Sequence, residues 1–138
     1  MNLRSAQVSN RVPAHGDFKP HHILIDGDRV GLIDFDLLAA ADPAQDVANL
    51  LFKLSRGGGR SWRPRRHSRS WPRLFAEEYF SHVPESWRAR LPYQYATVIL
   101  SKAATLGGRQ RGSGGRSGRI NQVVTMVQEA KDALEGRL

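Results

Sequence analysis

The chain has 138 residues, of which 40% are hydrophobic, a net charge of +8 and no cysteine. This length suits one domain with a real core, and the lack of cysteine excludes disulfide scaffolds, thiol catalysis and cysteine-ligated metal centres. No apolar run reaches the roughly 18 residues that a membrane helix needs, and the N-terminus has no signal-peptide core, so we expect a cytoplasmic protein without membrane contact.

The first predicted element is a β-hairpin. Two short runs rich in β-branched residues, 22–25 and 29–35, flank the sequence Asp26-Gly27-Asp28. Glycine and aspartate tolerate the positive φ angles that tight hairpin turns require. A two-stranded sheet is not stable by itself, so we expect this hairpin to pack on the helices that follow or on a partner.

Helices are predicted for most of the remaining chain. Asp42 is the candidate N-cap of the first one, with Pro43 at its first position and Gln45 where a capping-box partner would lie. The apolar spacing then continues to Leu54, and the glycines at 57–59 end the helix. Further helices are predicted at about 72–81, from 84 or 92 to 106, and over 120–134.

The net positive charge comes from two segments. Residues 56–73 hold seven arginines and residues 107–119 hold four, and neither segment contains an acid. Both are also rich in glycine, so we predict flexible, solvated loops. Arg/Gly segments can follow a phosphate backbone, which leaves a weak nucleic-acid-binding module as the alternative function, although nucleic acid is the less favoured partner.

The candidate chemistry lies before and after the hairpin, in the acidic part of the chain. His15-Gly16-Asp17 is followed by His22 five positions after the aspartate, and Asp34 ends the second hydrophobic run. Protein kinases use this arrangement, in which one aspartate meets the acceptor hydroxyl and two later residues hold Mg²⁺. Because a hairpin separates the two stretches, both aspartates are expected at the same end of its strands.

The stretches 15–20, 33–36 and 41–48 resemble, in that order, the aminoglycoside phosphotransferase/choline kinase family of kinase-like enzymes. The resemblance implies an α+β fold, a kinase-like C-terminal lobe in which a catalytic β-hairpin packs on a mainly helical subdomain. It implies transfer of phosphate from ATP, with Mg²⁺, to a hydroxyl group of a small molecule. It also implies that Asp17 is the catalytic base and that Asp34 is the principal Mg²⁺ ligand.

Three further residues are expected to support the site. By the same resemblance, Asp46 hydrogen-bonds back to the catalytic loop as a brace. His15 is expected to order the loop by hydrogen bonding rather than to act on the substrate. Asp36, two residues after Asp34, is expected to support the site as well.

His22 departs from the family pattern, which has asparagine at this position. An imidazole can bind a metal, but Mg²⁺ prefers oxygen ligands. His22 would therefore hold the cation poorly, favour a softer cation, or only order the loop. A further alternative is a metallohydrolase centre built from the histidines and aspartates of this part of the chain, namely His15, Asp17, His21, His22, Asp34 and Asp36. The kinase-like spacing explains more residues.

A second departure concerns the N-terminal lobe that family members carry, with a nucleotide-covering loop and a phosphate-binding lysine. Only 14 residues precede His15, and neither feature is found among them. We therefore expect residues 1–138 to form a single truncated domain without its N-terminal lobe. Because positioning of the nucleotide is most of the catalysis, we expect the isolated chain to be inactive or nearly so.

Overall fold

The structure is a computed structural model that describes residues 11–56, 71–108 and 116–137. Within these ranges, short strands come first in the chain and helices follow, so the protein is of mixed α+β class, as predicted. The elements in order are β1 Val12–Ala14, a 3-10 helix Pro20–His22, β2 Ile23–Asp26, β3 Arg29–Leu32, β4 Ala39–Ala41, α1 Pro43–Ser55, α2 Trp71–Ser81, α3 Glu85–Arg88, α4 Leu91–Gly108 and α5 Arg116–Leu134.

The predicted hairpin is formed by β2 and β3, which pair antiparallel from Ile23 opposite Leu32 to the turn. The turn is tight because Gly27 adopts a φ of +62°, which glycine reaches without steric cost. One more bond extends the pairing past the strands, from the N–H of Ile33 to the carbonyl of His22 at 3.1 Å. This bond brings the residues before β2 and after β3 side by side.

A second pair of strands was not predicted. β1 and β4 pair antiparallel, with Val12 opposite Ala41 and Ala14 opposite Ala39. Three alanines have no preference for a strand, so this pairing leaves no local signal in the sequence. It matters for the site because it brings the residue that follows β1, His15, next to the beginning of α1.

The hydrophobic core lies among the helices. Val47 of α1, Ile99 of α4 and Met126 of α5 are at most 5% exposed and belong to one buried cluster. A polar link joins the same three helices at the surface of this core. The hydroxyl of Tyr95 donates to Glu129 at 3.0 Å, and Arg56, just after α1, forms an ion pair with Glu129 at 2.6 Å.

The described residues leave much of the apolar surface of the hairpin uncovered. Most of its large apolar side chains are exposed, and so are those of the segment that leads to β4. The exposed residues are Leu24, Ile25, Val30, Leu32, Ile33, Phe35, Leu37 and Leu38. Contact between α1 and this part of the chain is made mainly by β1 and the 3-10 helix.

The helices also correct several predicted boundaries. The predicted loops covered residues 71–73, 107–108 and 116–119, which belong to α2, α4 and α5. Residues 72–73 were also covered by the helix predicted at 72–81. Arginine is a good helix former, which accounts for its place in α2 and α5, whereas residues 107–108 are two glycines that have no such propensity. The rest of these predicted loops, 57–70 and 109–115, lies outside the described residues.

Residues 84–106 form two helices where one was predicted. α3 ends at Arg88 and α4 begins at Leu91, because Pro92 has no N–H to donate and is accommodated only in a first turn. Among the described helices, none combines the length and the apolar character needed to cross a bilayer.

Candidate functional site

The loop after β1 is attached to the beginning of α1 by one carboxylate. Asp46, in the first turn of α1, accepts hydrogen bonds from the backbone N–H of His15 at 2.6 Å and of Gly16 at 2.9 Å. α1 is itself fixed at this end, since the Asp42 side chain accepts from the N–H of Ala44 at 3.0 Å as its N-cap. Two adjacent donors on one ionised acceptor hold the loop in a defined position.

Gly16 makes this loop turn tightly. Its φ is +84°, and a Cβ atom at this position would lie 2.4 Å from the carbonyl oxygen of Leu37. No residue other than glycine fits here without movement of the backbone. The chain therefore passes closely under the segment that follows β3.

His15 joins the loop to the end of β3. Its Nε2 donates to the carbonyl of Ile33 at 2.9 Å, since a carbonyl can only accept. The ring is buried and lies 5.3 Å from the ring of His22 and 5.0 Å from that of Phe35. These contacts are those of a residue that orders the loop.

The loop, the 3-10 helix and the end of β3 bring three candidate ligands together. One ligand atom each of Asp17, His22 and Asp34 lies within 4.8 Å of the other two. Nε2 of His22 is 2.9 Å from Oδ2 of Asp34. Asp34 adopts a φ of +67°, a left-handed conformation that is uncommon for a residue with a side chain and often marks a functional position.

The cluster is open to solvent on one side. The side chains of Asp17 and Asp34 are 37% and 46% exposed, whereas that of His22 is 8% exposed. A ligand would therefore reach the two carboxylates from solvent and meet the imidazole at the bottom of the site. Asp17 also forms an ion pair with Lys19, two residues later.

The ion pair contributes to a lowered pKa of Asp17. Partial burial acts to raise the pKa of Asp17, but the hydrogen bond and charge of Lys19, with smaller contributions from His22 and Lys102, lower its pKa below the usual value. Asp17 is consequently a carboxylate at neutral pH. Lys19 was not identified as a site residue from the sequence. A lysine two residues after Asp17 does, however, suggest an ion pair between the two side chains.

The donor set fits a divalent cation only in part. Two carboxylates suit Mg²⁺, but an imidazole nitrogen is a poor ligand for it and a good one for first-row transition metals. Nδ1 of His22 is buried and has no hydrogen-bond partner among the described residues. The polar contact of this ring is therefore made through Nε2, toward the cluster.

Not all predicted site residues meet. Asp36 lies in an exposed turn after Asp34 and, among the described residues, makes no contact with the cluster. His21 is exposed, and the Nε2 of His15 is engaged by Ile33. The structure thus brings together three of the residues that a larger metallohydrolase centre would use, and these three are the ones at kinase-like spacing.

Comparison with known proteins agrees with the motifs. The model of the phosphotransferase enzyme family matches residues 2–89, which is more than half of the chain and includes the catalytic loop, the hairpin and α1 to α3. No curated protein and no solved structure matches the chain. The resemblance to aminoglycoside phosphotransferases is confirmed at the level of the family: the chain belongs to the phosphotransferase enzyme family.

Proposed function

We propose that the chain carries the catalytic part of an ATP-dependent phosphotransferase with the fold of a kinase-like C-terminal lobe. The terminal phosphoryl group of ATP is transferred to a hydroxyl group of a small molecule. The observation that carries the proposal is the cluster of Asp17, His22 and Asp34 in a member of a phosphotransferase family.

Asp17 is the catalytic base in this proposal. The acceptor oxygen forms a bond to the γ-phosphorus while the bond from that phosphorus to the bridging oxygen of ADP breaks, and the hydroxyl proton passes to the Asp17 carboxylate. The lowered pKa of Asp17 keeps it ionised, so it can accept a hydrogen bond from the hydroxyl and orient it. Its partial exposure leaves room for an acceptor.

Asp34 and His22 would hold a divalent cation beside the phosphates. Such a cation, when bound, neutralises the negative charge of the triphosphate. Both side chains lie at the open end of the hairpin, His22 just before β2 and Asp34 just after β3, and the bond between Ile33 and His22 fixes their separation. The carboxylate of Asp34 is the more exposed of the two, so it faces the side from which a nucleotide would enter.

His15 and Asp46 position these groups without touching the substrate. Asp46 fixes the two residues that precede Asp17, and His15 ties the same loop to the residue that precedes Asp34. Asp17 and Asp34 are therefore held in fixed positions relative to each other, because both are attached through the same loop. Asp36 has no such contact and is not included in the proposed site.

The apolar surface of the hairpin is consistent with a partner lobe. Ile25 and Val30 are 73% and 68% exposed, and they lie opposite each other in the hairpin. Contiguous exposed apolar residues often mark interaction surfaces. We propose that this surface packs against an N-terminal lobe of the kind that family members carry. Replacing both residues by lysine is expected to reduce binding of the dye ANS at an unchanged melting temperature, and unchanged dye binding would contradict this.

The proposed function is tested by separating nucleotide binding from transfer. The chain by itself is expected to turn over slowly or not at all, so we would measure ATP binding with Mg²⁺ by calorimetry and transfer from γ-labelled ATP over hours. Asp34→Asn is expected to weaken ATP binding at least about tenfold. Asp17→Asn is expected to leave binding unchanged and to abolish any transfer.

The matched control is Asp36→Asn, which removes a nearby carboxylate that lies outside the cluster. This variant is expected to behave like the wild type in both measurements. The proposal would be overturned by the absence of ATP binding, by equal binding in the Asp34 and Asp36 variants, or by transfer that survives Asp17→Asn.

A further inference from the structure

We propose that the cluster of Asp17, His22 and Asp34 selects a first-row transition dication such as Mn²⁺ over Mg²⁺, and that His22 is the residue that determines this preference. The inference deepens the proposed function, and its catalytic consequence rests on it. The preference itself is a property of three side chains and can be measured without nucleotide or substrate. When an acceptor is present, Asp17 serves as the base and the cation is held by His22 and Asp34.

The geometry accommodates a single ion. Ligand atoms bound to one cation at about 2.1 Å lie roughly 3 to 4 Å apart. The three ligand atoms here lie within 4.8 Å of one another, and Nε2 of His22 is already 2.9 Å from Oδ2 of Asp34. Asp17 and Asp34 are partly exposed, so a small rotation of either carboxylate closes the remaining distance.

His22 cannot move away from this position. Its backbone N–H donates to the carbonyl of Lys19 at 2.9 Å, and its own carbonyl accepts from Ile33 at 3.1 Å. Its ring is buried and stacked on that of His15. Whichever cation enters between the carboxylates therefore meets an imidazole nitrogen.

The imidazole has no other polar role in the described part of the chain. Nδ1 is buried without a partner, and Nε2 faces Asp34. A histidine that served only to order the loop would be expected to bond to backbone, as His15 does to Ile33. The polar function of the His22 ring is directed at the cluster alone.

The chemistry of the ligands then sets the preference. Carboxylates accept Mg²⁺ and Mn²⁺ alike, so Asp17 and Asp34 do not discriminate between them. An imidazole nitrogen binds first-row transition metals well and Mg²⁺ poorly. A rigid nitrogen at the bottom of the site favours Mn²⁺, Co²⁺ or Zn²⁺ and penalises Mg²⁺, which demands near-ideal octahedral oxygen coordination.

The first test is the ratio of the dissociation constants for Mg²⁺ and Mn²⁺, measured by equilibrium dialysis on the full chain without ATP. We expect the wild type to bind Mn²⁺ at least about tenfold more tightly than Mg²⁺. His22→Asn, which offers an oxygen instead, is expected to reduce that ratio to near one. His21→Asn, a change in the adjacent and exposed histidine, is expected to leave the ratio unchanged.

The second test observes the bond itself. Chain labelled with ¹⁵N-histidine is loaded with Mn²⁺ and examined by pulsed electron paramagnetic resonance for coupling to nitrogen. We expect coupling in the wild type and in His21→Asn and its loss in His22→Asn, with circular dichroism melting curves to verify that each variant is folded.

The outcomes separate this inference from the proposed function. Absence of nitrogen coupling in Mn²⁺-loaded wild type, or equal metal ratios in wild type and His22→Asn, would overturn the metal preference and leave a Mg²⁺-dependent phosphotransferase standing. Coupling in a chain that binds no ATP would support the metal preference and contradict the proposed function.

Discussion

The carboxylate of Asp46 accepts a hydrogen bond from the backbone N–H of His15 at 2.6 Å, although 31 residues separate them in the chain. Together with its bond to Gly16, this contact ties the loop after β1 to α1. We expect Asp46→Asn to destabilise the protein by about 2 kcal/mol. Hydrogen bonds to a charged acceptor contribute more to stability than neutral ones, and the NH₂ of asparagine cannot accept from one of the two N–H groups. Urea unfolding measures this.

Asp36→Asn is the control for that measurement, since it removes a carboxylate in an exposed turn. Its effect is expected to stay within about 0.5 kcal/mol. Equal effects of the two substitutions would show that the Asp46 contact does not contribute to stability.

Gly16 and Gly27 both have a positive φ, but they differ in their surroundings. A Cβ at Gly16 would lie 2.4 Å from the carbonyl oxygen of Leu37, whereas nothing lies within 4 Å of one at Gly27. Gly27→Ala is expected to cost only the left-handed strain, about 1 kcal/mol. Gly16→Ala adds a backbone clash and is expected to cost at least about 2 kcal/mol; a cost no larger than that of Gly27→Ala would contradict the close approach.

The pKa of Asp17 is expected to depend on Lys19. Burial acts to raise this pKa, but the hydrogen bond and charge of Lys19, together with the charges of His22 and Lys102, lower it below the usual value. Lys19→Met removes the largest contribution that lowers the pKa of Asp17, so this pKa should rise. NMR titration of the Asp17 carboxyl carbon measures the change. Lys102→Met, which removes the smallest of the contributing charges, should raise it less.

The sign of the linked stability follows from this direction. Because the folded-state pKa of Asp17 lies below its unfolded value, its contribution to stability is present above the unfolded pKa and is lost as pH falls through the folded pKa. Lys19→Met should bring the folded-state pKa of Asp17 closer to its unfolded value, so the pH range over which this contribution to stability is lost becomes narrower. A pKa for Asp17 that is the same in both proteins would contradict the role given to Lys19.

Tyr95 links α4 to α5 through a buried hydroxyl. It donates to Glu129 at 3.0 Å, and Ser55 lies 3.5 Å from the same oxygen. Tyr95→Phe is expected to cost about 1 kcal/mol, since Arg56 still pairs with the Glu129 carboxylate. The exposed neighbour Tyr93 supplies the control, and Tyr93→Phe should have almost no effect on unfolding.

Tyr95 also has a testable titration. Burial, more than the nearby Glu129 charge, raises its pKa. Its stabilising contribution is therefore present below the unfolded pKa of about 10 and is lost as pH rises through the higher folded value. An absorbance titration of tyrosinate is measured for the wild type and for Tyr95→Phe, and the difference between the two curves reports Tyr95. That difference should titrate above the ordinary pKa of tyrosine, and a titration at the ordinary pKa would contradict the burial of Tyr95.

Local signals in the sequence predicted the elements that carry the site. Asp42 and Pro43 mark the beginning of α1 because an N-cap acceptor and a residue without N–H are what a first turn requires. The hairpin around Gly27 was predictable because glycine flanked by aspartates favours a tight turn with a positive φ. The pairing of β1 with β4 was not, because three alanines carry no strand preference and the contact joins distant parts of the chain.

The sequence by itself determined which chemical groups are available: a base candidate at Asp17, a strand-end carboxylate at Asp34, and an imidazole at His22 where the family has an amide. Only the tertiary structure decided their arrangement, because that arrangement depends on long-range hydrogen bonds and on burial. The N–H groups of the catalytic loop meet Asp46, the ring of His22 is held under the two carboxylates, and Asp36 stays outside.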